Sequence, residues 1–308
     1  MIDTIEFKLT IKEKKSWIVN RLENSNNNNF MDDNGIYIKL RRVNESTFTA
    51  KFNFSISKFE FGNNIGRYTH SDFIQSIRKL SEVYGLNMNE AIIDRIDLGT
   101  TFQMNEEPVK YLSLITSYKR MNNKTIYGIN KLQSIYFNNA QKTIVIYNKS
   151  KDILRKRSVQ KNIPITLASK LNELNLIRYE VRLKNALGSQ LDIHRKVNIG
   201  DLLDKCTYDR LINIWHSSFQ GIKWANINKH KSEKWENHFM LLGIENIGID
   251  KAKNIINFYS KKRKNNPQQN YRVNNKFEKI ISSKNISNSN YLYKEFLKKI
   301  NLERKINL

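Results

Sequence analysis

Apolar and polar residues alternate along much of the first half of the chain, which is typical of β-strands that bury one face. The alternation is clearest in TIEFKLT and GIYIKLRRV, and β-branched and aromatic residues enrich the other segments of this kind. A short polar connection at residues 139–141 predicts a hairpin. We predict strands over residues 4–10, 35–43, 46–56, 91–102, 133–138, 142–149 and 176–185.

Apolar residues at helical spacing predict three helices between these strands. We place them at residues 71–85, 107–120 and 163–174. In the first of them, Ser71 is expected to cap the N-terminus and Gly85 to end the helix.

The pattern changes after about residue 190, where the apolar segments have helical spacing. The fold class predicted is therefore α+β, with a sheet-containing part at residues 1–190 and a mainly helical region at residues 191–308. The helical segments are IGDLLDKCTYDRLINIW, KWENHFMLLG, IDKAKNIINFYSKKRK, NNKFEKIISS and NYLYKEFLKKINLERKI.

The net charge and the cysteine content limit the functions that this protein could have. The 308 residues carry a formal net charge of +24, from 53 Lys and Arg against 29 Asp and Glu, which predicts a polyanionic partner such as nucleic acid. Cys206 is the single cysteine, so an internal disulfide and a cysteine-based zinc site are excluded and a cytoplasmic location is expected. No apolar run has the length of a signal peptide or a membrane span, so no membrane partner is expected.

Other common motifs are missing from the sequence. No glycine-rich loop of the kind that cradles phosphate occurs, which argues against an NTP-driven enzyme. The segment GNNIG at residues 62–66 indicates a turn and nothing more. The five histidines form no close pair that would suggest a histidine-based metal site.

The predicted strand at residues 176–185 has one apolar and one charged face, because side chains alternate between the faces of a strand. Its charged face carries one carboxylate, Glu180, among Arg178, Arg182 and Lys184. Two interpretations remain open. The face is either a solvated surface with cross-strand ion pairs or a phosphate-binding surface whose acid holds a divalent metal.

A second carboxylate lies in the strand predicted at residues 91–102. Asp97 shares a face with Arg95, whereas Asp94 shares the opposite face with apolar residues. Asp97 and Glu180 together would supply the hard oxygen ligands that Mg²⁺ or Mn²⁺ prefers. A shift of one residue in the strand would put Asp94 in place of Asp97.

Tyr147 is the candidate nucleophile, because it stands at the end of an apolar strand and is followed by Asn148 and Lys149. A phenol with its usual pKa of about 10 is a poor nucleophile. A nearby ammonium such as Lys149, and a metal that polarises the phosphate, would both lower the barrier to attack. Packing in the core is the alternative role for any single tyrosine, and Tyr136 and Tyr127 are the next candidates.

Four segments in order resemble the rolling-circle replication initiators of small Gram-positive plasmids and the phage and plasmid proteins related to filamentous-phage initiators. The segments, which lie within residues 91–185, are DRIDLGTTF, KTIYGINKLQSIYFNN, IVIYNKSKD and LIRYEVRLKN. FNFSISKFEFGNN, at residues 52–64, is similar to the upstream strand and loop of that family. The helical C-terminal part carries much less of the resemblance.

The resemblance implies an antiparallel-sheet nicking domain that cuts and rejoins single-stranded DNA at an origin. In that family a tyrosine forms a 5′-phosphotyrosine link and leaves a 3′-OH that primes synthesis. The matching positions imply Tyr147 as this tyrosine and Asp97 and Glu180 as metal ligands. The histidine-hydrophobe-histidine metal motif of related enzymes is missing here.

The partners expected are a single-stranded origin and the adjacent duplex, with a host helicase and a second copy of the chain as further candidates. Arg95, Arg178, Arg182 and Lys184 are expected to contact DNA. A basic cluster of Lys261, Lys262, Arg263 and Lys264 ends a helix predicted at residues 249–266, where it either binds duplex phosphates or stabilises the helix terminus.

Two other functions fit the same residues. A conjugative relaxase would use the same chemistry at a transfer origin. A DNA-binding regulator without catalytic activity would use Tyr147 for stacking or packing only. An RNA-binding protein is a weaker alternative, because the sequence has no RNP-type aromatic motif.

Overall fold

An antiparallel sheet forms the centre of the protein in the computed structural model, which describes residues 1–12, 29–127, 132–160, 174–224, 255 and 267–308. Within these residues the sheet has nine strands in the order β2-β3-β4-β1-β5-β10-β9-β8-β7, and β6 pairs separately with β11. The strands are β1 Ile2–Ile11, β2 Asn29–Met31, β3 Tyr37–Arg42, β4 Phe48–Ser55, β5 Ile92–Gln103, β6 Ile115–Tyr118, β7 Asn122–Tyr127, β8 Leu132–Asn138, β9 Lys142–Asn148, β10 Leu176–Lys184 and β11 Ile222–Trp224.

Helices connect the strands and dominate the C-terminal part. A short 3-10 turn, Met88–Glu90, precedes β5. The helices are α1 Ile56–Phe61, α2 His70–Tyr84, α3 Pro108–Leu112, α4 Lys149–Gln160, α5 Leu187–Gln190, α6 Ile199–Leu203, α7 Lys205–Gln220 and α8 Pro267–Asn307. Among the described residues, no helix is both long enough and apolar enough to cross a membrane.

One face of the sheet is apolar and is covered by helices. The buried Tyr179 in β10 donates its hydroxyl to the carbonyl of Trp215 in α7 at 3.0 Å, so α7 lies on this face. Phe296 of α8 packs on Phe219 of α7 with ring centroids 4.9 Å apart. Burial of these aromatic side chains stabilises the fold together with the many aliphatic residues of the core, and the opposite face of the sheet is polar.

The α+β fold class predicted from the sequence is confirmed. The predicted strands are present, and the hairpin at residues 139–141 joins β8 to β9 as expected. The helix predicted at residues 107–120 is wrong beyond Leu112, because residues 115–118 form β6 and pair with β11 from a distant part of the chain. This tertiary pairing overrides the local helical spacing.

The N-cap of helix α2 lies two residues earlier than the sequence predicts. Thr69 is the N-cap, not Ser71: its hydroxyl accepts from the Asp72 amide, and the Asp72 carboxylate accepts from the Thr69 amide at 2.7 Å. This reciprocal pair is a capping box. Gly85 ends the helix in the left-handed conformation, as predicted.

The described part of the C-terminal region is mainly helical, as predicted, with different boundaries. The segment at residues 199–215 is two helices divided at Asp204, whose carboxylate accepts from the Thr207 amide at 2.8 Å. Two predicted helices, residues 274–283 and 290–306, are parts of the single helix α8. The helices predicted at residues 163–174 and 234–243, and nearly all of that at 249–266, lie outside the described residues.

Residues on both sides of position 190 contribute to one hydrophobic core. Trp215, Phe219 and Phe296 pack with side chains of the sheet. The division into residues 1–190 and 191–308 remains a prediction about function, while the packing joins the two parts through a shared apolar surface.

Candidate active site

The polar face of β10 lies at the middle of the sheet, and the strand register brings the predicted site residues together there. Arg178 stands opposite Tyr147 on β9, and Arg182 stands opposite Asp97 on β5. Because residues two apart share a face, Glu180 lies between the two arginines and diagonally across from both Tyr147 and Asp97.

The Tyr147 hydroxyl donates a hydrogen bond to Glu180 Oε1 at 2.9 Å. Burial, and then the negative charge of Glu180, raise the pKa of this hydroxyl above its usual value of 10. The resting state is therefore a protonated phenol held against a carboxylate. The acceptor for the hydroxyl proton is already within hydrogen-bond distance, but the raised pKa of Tyr147 and the low pKa of Glu180 oppose proton transfer while two arginines hold the carboxylate.

Glu180 is buried and stays ionised. Arg178 Nε lies 2.7 Å from its Oε1, and Arg182 Nη2 lies 2.9 Å from its Oε2. Burial alone would raise the pKa of Glu180, but the attraction of the two guanidinium groups outweighs it and lowers the pKa to about 2. Oε1 thus accepts hydrogen bonds from Tyr147 and Arg178, while Oε2 accepts one from Arg182.

Arg178 was expected to contact DNA, but its side chain is only 2% exposed and is fully engaged inside the protein. It contacts the Asp3 carboxylate at 2.7 Å, the Asn64 carbonyl at 2.7 Å and the Thr101 hydroxyl at 2.9 Å. A buried charge is tolerated when it is paired and hydrogen-bonded on all sides. Arg178 accordingly positions Glu180 and does not present its charge to solvent.

Gly99 of β5 makes the approach of Arg178 to Asp3 possible. Gly99 lies directly opposite Glu180, and a Cβ at this position would come within 2.8 Å of Arg178 Nη2. The glycine inside DRIDLGTTF is the sequence signal for this close approach. A glycine weakens the interior of a strand, and it often marks a position where another group comes close to the backbone.

Two further residues of the site, Asp3 and Asn64, were missed by the sequence analysis. Asn64 lies in GNNIG, which was interpreted as a turn only; its side chain donates to Asp3 at 3.2 Å and accepts from Lys149 at 3.2 Å. Asp3 also accepts from Ser57 at 3.0 Å. The turn therefore links the start of β1 to the start of α4 through polar contacts beside Arg178.

A β-bulge brings Asp3 to the polar face. Ile2 pairs with Leu98 but Thr4 pairs with Asp97, so Asp3 is the extra residue. The apolar positions of β1, Ile2 and then Ile5, are three apart where a regular strand would have them two apart. That interruption of the alternation was the available sequence signal.

A second bulge explains the position of Asp94. Phe7 pairs with Ile93 and Glu6 pairs with Arg95, which leaves Asp94 as the extra residue. Asp94 contacts Lys8 at 2.9 Å and does not share the apolar face, so that part of the sequence interpretation is wrong. Asp97 keeps the position predicted for it, beside Arg182 and Arg95.

Asp97 is held by Arg95, whose Nε and Nη2 donate to its two oxygens at 2.7 and 2.5 Å. Burial raises the pKa of Asp97, and the attraction of Arg95 and Arg182 offsets only part of that effect. The Arg95 and Arg182 side chains are 32% and 31% exposed, so both guanidinium groups can reach a ligand on the polar face.

Lys149 lies beside Tyr147, as the sequence suggested, although it begins α4 and is not the last residue of the strand. Its ammonium is buried, 5.9 Å from the centre of the Tyr147 ring and 3.8 Å from the Asp152 carboxylate. Lys149 thus contacts the face of the Tyr147 ring, while Arg178 is a cation that acts to lower the pKa of the hydroxyl.

An open cleft of about 260 Å³ gives solvent access to Tyr147. Tyr136 and Arg182 line one side, and Lys151 and Arg155 of α4 line the other. A phosphate group in this cleft would meet positive side chains from both sides, which is the electrostatic setting that phosphoryl chemistry requires. Tyr127, in contrast, is 66% exposed at the edge strand β7.

Asp97 and Glu180 fit Mg²⁺ or Mn²⁺ by ligand type, because both offer hard oxygens on the same face. Each carboxylate is at present neutralised by arginines, and the described residues contain no group of three or more His, Cys, Asp or Glu side chains that could hold a metal ion. Each acid would have to release an arginine before it could bind a cation.

The basic cluster of the C-terminal region, Lys261, Lys262, Arg263 and Lys264, lies outside the described residues. Its expected contact with duplex phosphates remains a prediction. Lys184 is described and lies two residues beyond Arg182 on β10, opposite Arg95.

The sequence of residues 1–201 matches a family of phage proteins described as the N-terminal region of a replication-associated protein. The chain belongs to this family. The match spans β1 to β10 and so contains the whole candidate site. No curated protein and no solved structure matches the chain. Membership confirms the resemblance to filamentous-phage-type initiators, and it implies a role in starting replication and hence binding to DNA.

Proposed function

We propose that this replication protein starts rolling-circle synthesis by nicking one DNA strand at an origin through Tyr147 and later rejoining it. The observation that supports the proposal is the hydrogen bond from Tyr147 to Glu180, within a cleft whose other charged groups are mainly cations. Buried tyrosines elsewhere in the protein also donate to carboxylates, as Tyr111 does to Glu295, so the feature that favours Tyr147 is the cation-lined cleft that reaches it.

Arg182 and Arg95 bind the scissile phosphate in this proposal. Both are partly exposed, and both hold a carboxylate that a phosphate would compete with. When Arg182 turns to the phosphate, Glu180 loses one of the two guanidinium groups that lower its pKa. Binding of substrate thus makes Glu180 a better base at the moment when Tyr147 must lose its proton.

The chemical step exchanges one phosphate ester for another. The Tyr147 oxygen forms a bond to phosphorus while Glu180 accepts the hydroxyl proton, and the bond from phosphorus to the 3′ oxygen breaks. The proton is returned to the leaving 3′ oxygen, so that the products are a 5′-phosphotyrosine and a free 3′-OH. Attack by a 3′-OH on the phosphotyrosine reverses the step and rejoins the strand.

Lys149 and Arg178 assist without touching the phosphate. The Lys149 ammonium stabilises negative charge developing on the phenol oxygen, and Arg178 keeps Oε1 of Glu180 aimed at Tyr147. Asp97 and Oε2 of Glu180 would hold a Mg²⁺ or Mn²⁺ ion, which polarises the phosphate when bound.

The test is formation of a covalent protein–DNA adduct. Oligonucleotides that tile the replicon are incubated with the protein and Mn²⁺ and then separated in SDS under denaturing conditions. We expect an adduct with the parent and with Tyr136→Phe, and none with Tyr147→Phe. Since only a hydroxyl is lost, Tyr147→Phe should bind the origin within about 1 kcal/mol of the parent.

Two other results of this experiment would contradict the proposal. An adduct that persists in Tyr147→Phe and disappears in Tyr136→Phe would move the nucleophile to the neighbouring strand. If no oligonucleotide gives an adduct with the parent, the chain is a DNA-binding regulator and not a nickase. A host helicase, a second copy of the chain and a cytoplasmic location remain predictions from the sequence, as does the choice between a replication and a transfer origin.

A further inference from the structure

We propose that a groove beside the catalytic cleft binds the single-stranded DNA that flanks the scissile phosphate. The inference rests on the proposed function, because it takes the nick to occur at Tyr147. The groove lies between the polar face of β1, β4 and β5 and the segment that follows β10, residues 185–197, and its volume is about 800 Å³. A volume of this size accepts a ligand of about one or two nucleotides.

The groove continues the row of cations that begins at the catalytic cleft. Arg182 borders the cleft, and Lys184, two residues further along β10, lines the groove opposite Arg95. Residues two apart on a strand are about 6.7 Å apart. This spacing is close to that of neighbouring phosphates in an extended nucleic-acid strand, so two successive phosphates of a strand leaving Tyr147 would meet Arg182 and Lys184.

Positive charge without a protein partner is concentrated on one wall of the groove. Lys8 and Lys51 on the opposite wall contact Asp94. Lys184 and Lys196 have no ion pair with any residue in the part of the chain that the structure describes, and Lys196 is exposed. Lys184 and Lys196 thus lie in the groove with no carboxylate to neutralise them. Such a pair of cations is suited to binding an anionic ligand.

The loop over the groove is held in an uncommon backbone conformation. Among the described residues four that are not glycine have positive φ, and three of them are Asn185, Ala186 and Asp192, at 46°, 52° and 60°. Such conformations persist when the surrounding structure holds them, and they concentrate at ligand sites. The Lys184 amide donates to the Gln141 carbonyl at 2.9 Å, which ties the start of the loop to the β8–β9 hairpin.

The other end of the loop is fixed by the Ile93 amide, which donates to the Val197 carbonyl at 2.9 Å, and Gly188 lets the middle of the loop pack against itself. A Cβ on Gly188 would lie within 2.6 Å of the Ile193 carbonyl oxygen, so two backbone segments approach here as closely as glycine permits. A loop held at both ends keeps Lys184 and Lys196 in place before DNA arrives, which limits the entropy lost on binding.

The groove proposal is tested by measuring how the affinity for single-stranded DNA depends on salt concentration. The measurements are made in EDTA and with Tyr147→Phe present in every protein, so that no covalent adduct forms. A labelled oligothymidylate is titrated with the protein at several salt concentrations. Each single-strand phosphate contact contributes about 0.7 to the slope of log affinity against log salt. We expect Lys184→Gln combined with Lys196→Gln to flatten that slope by about 1 to 1.4 and to weaken binding.

The matched control is Lys294→Gln combined with Lys298→Gln. It removes the same charge from exposed positions on α8, which covers the opposite face of the sheet. The control should keep the parent slope, and both variants should unfold at the parent's urea concentration. An unchanged slope in the groove variant, or an equal change in the control, would overturn the proposal, as would an equal loss of affinity for a duplex of the same length.

A second arm separates this proposal from that of nicking. With Tyr147 restored, the origin oligonucleotide is shortened on one side of the nick or on the other. Shortening on the groove side should abolish the difference in affinity between parent and groove variant, and shortening on the other side should preserve it. If the parent protein forms no adduct but the groove variant still has a flatter salt slope, the nicking proposal is rejected and the groove proposal stands. If the parent nicks DNA normally but the groove variant keeps the parent's salt slope, the groove proposal is rejected and the nicking proposal stands.

Discussion

Arg178 shows how a single residue can organise a site without meeting the substrate. Its guanidinium group lies between the carboxylates of Asp3 and Glu180, and it is completely surrounded by protein. Removal of such a partner leaves a buried charge uncompensated, which is more costly than the pair is favourable. The position of Tyr147 therefore depends, through Glu180, on a residue near the start of the chain.

Glu180 should make the protein lose stability steeply in acid. Its pKa is about 2 in the folded protein against an ordinary value of 4.5. A carboxylate with a lowered pKa stabilises the folded state above its unfolded pKa, and this stabilisation is lost as the pH falls toward the folded value. We expect about 3 kcal/mol to be lost through Glu180 below pH 4.5, measured by urea unfolding at a series of pH values.

The control for this prediction is Glu180→Gln. At neutral pH this variant should be less stable than the parent, because Arg178 loses a charged partner. Its stability should fall less steeply with acid, since one titrating group is gone. Equal steepness in the two proteins would show that other carboxylates cause the acid loss. Asp97 cannot be one of them, because its pKa is raised and its protonation is favoured in the folded state.

At the scale of elements, bulges and caps determine which side chains reach the site. The two bulges that turn Asp3 and Asp94 toward the polar face each add one residue to a strand without disturbing the apolar face beyond it. The polar face consequently carries more acids than regular alternation would place there. The strands remain central and antiparallel on either side of each bulge.

The capping box of α2 predicts which of two hydroxyl residues stabilises the start of the helix. Thr69→Ala removes the hydroxyl that accepts from the Asp72 amide, and we expect the free energy of unfolding to fall by about 1 kcal/mol. Ser71→Ala, two residues later, should change it by no more than about 0.5 kcal/mol. Urea unfolding of both variants measures the difference. A larger loss for Ser71→Ala would mean that the helix begins where its sequence pattern suggested.

At the scale of the whole molecule, the two faces of the sheet differ in what covers them. Helices α2, α7 and α8 cover the apolar face, and the cleft and the groove lie on the polar face. The end of α8 is joined to the sheet-containing part by polar contacts as well, since Glu295 accepts hydrogen bonds from Tyr111 and from the Asn105 amide. The C-terminal helix is thus part of the body that supports the site.

Phe296 tests this role of α8. It is completely buried among Phe102, Phe219 and Trp224, and Phe296→Ala should lower the free energy of unfolding by about 3–5 kcal/mol. Leu302→Ala on the same helix removes a side chain that is 53% exposed and should have little effect. Tryptophan fluorescence during urea unfolding reports both. Equal stability of the two variants would mean that α8 does not contribute to the core.

The sequence by itself determined the fold class and the identity of the central strands. Strict alternation in LIRYEVRLKN puts Tyr179 on one face and Glu180 on the other in any register, because the period of a strand is two. The family followed from the order of four short segments, and the family match confirms it. The roles of Tyr147, Lys149, Asp97 and Glu180 remain predictions, and their proximity is now a feature of the structure.

Only the tertiary structure decided which distant residues complete the site. Asp3 and Asn64 are 175 and 114 positions away from Arg178 along the chain, and no local pattern links them to it. The same holds for β6, whose partner β11 begins more than a hundred residues later. Burial also separated Arg178 from Arg182, which look alike in the sequence, because only the folded chain shows which of two cations is covered and which one faces the cleft.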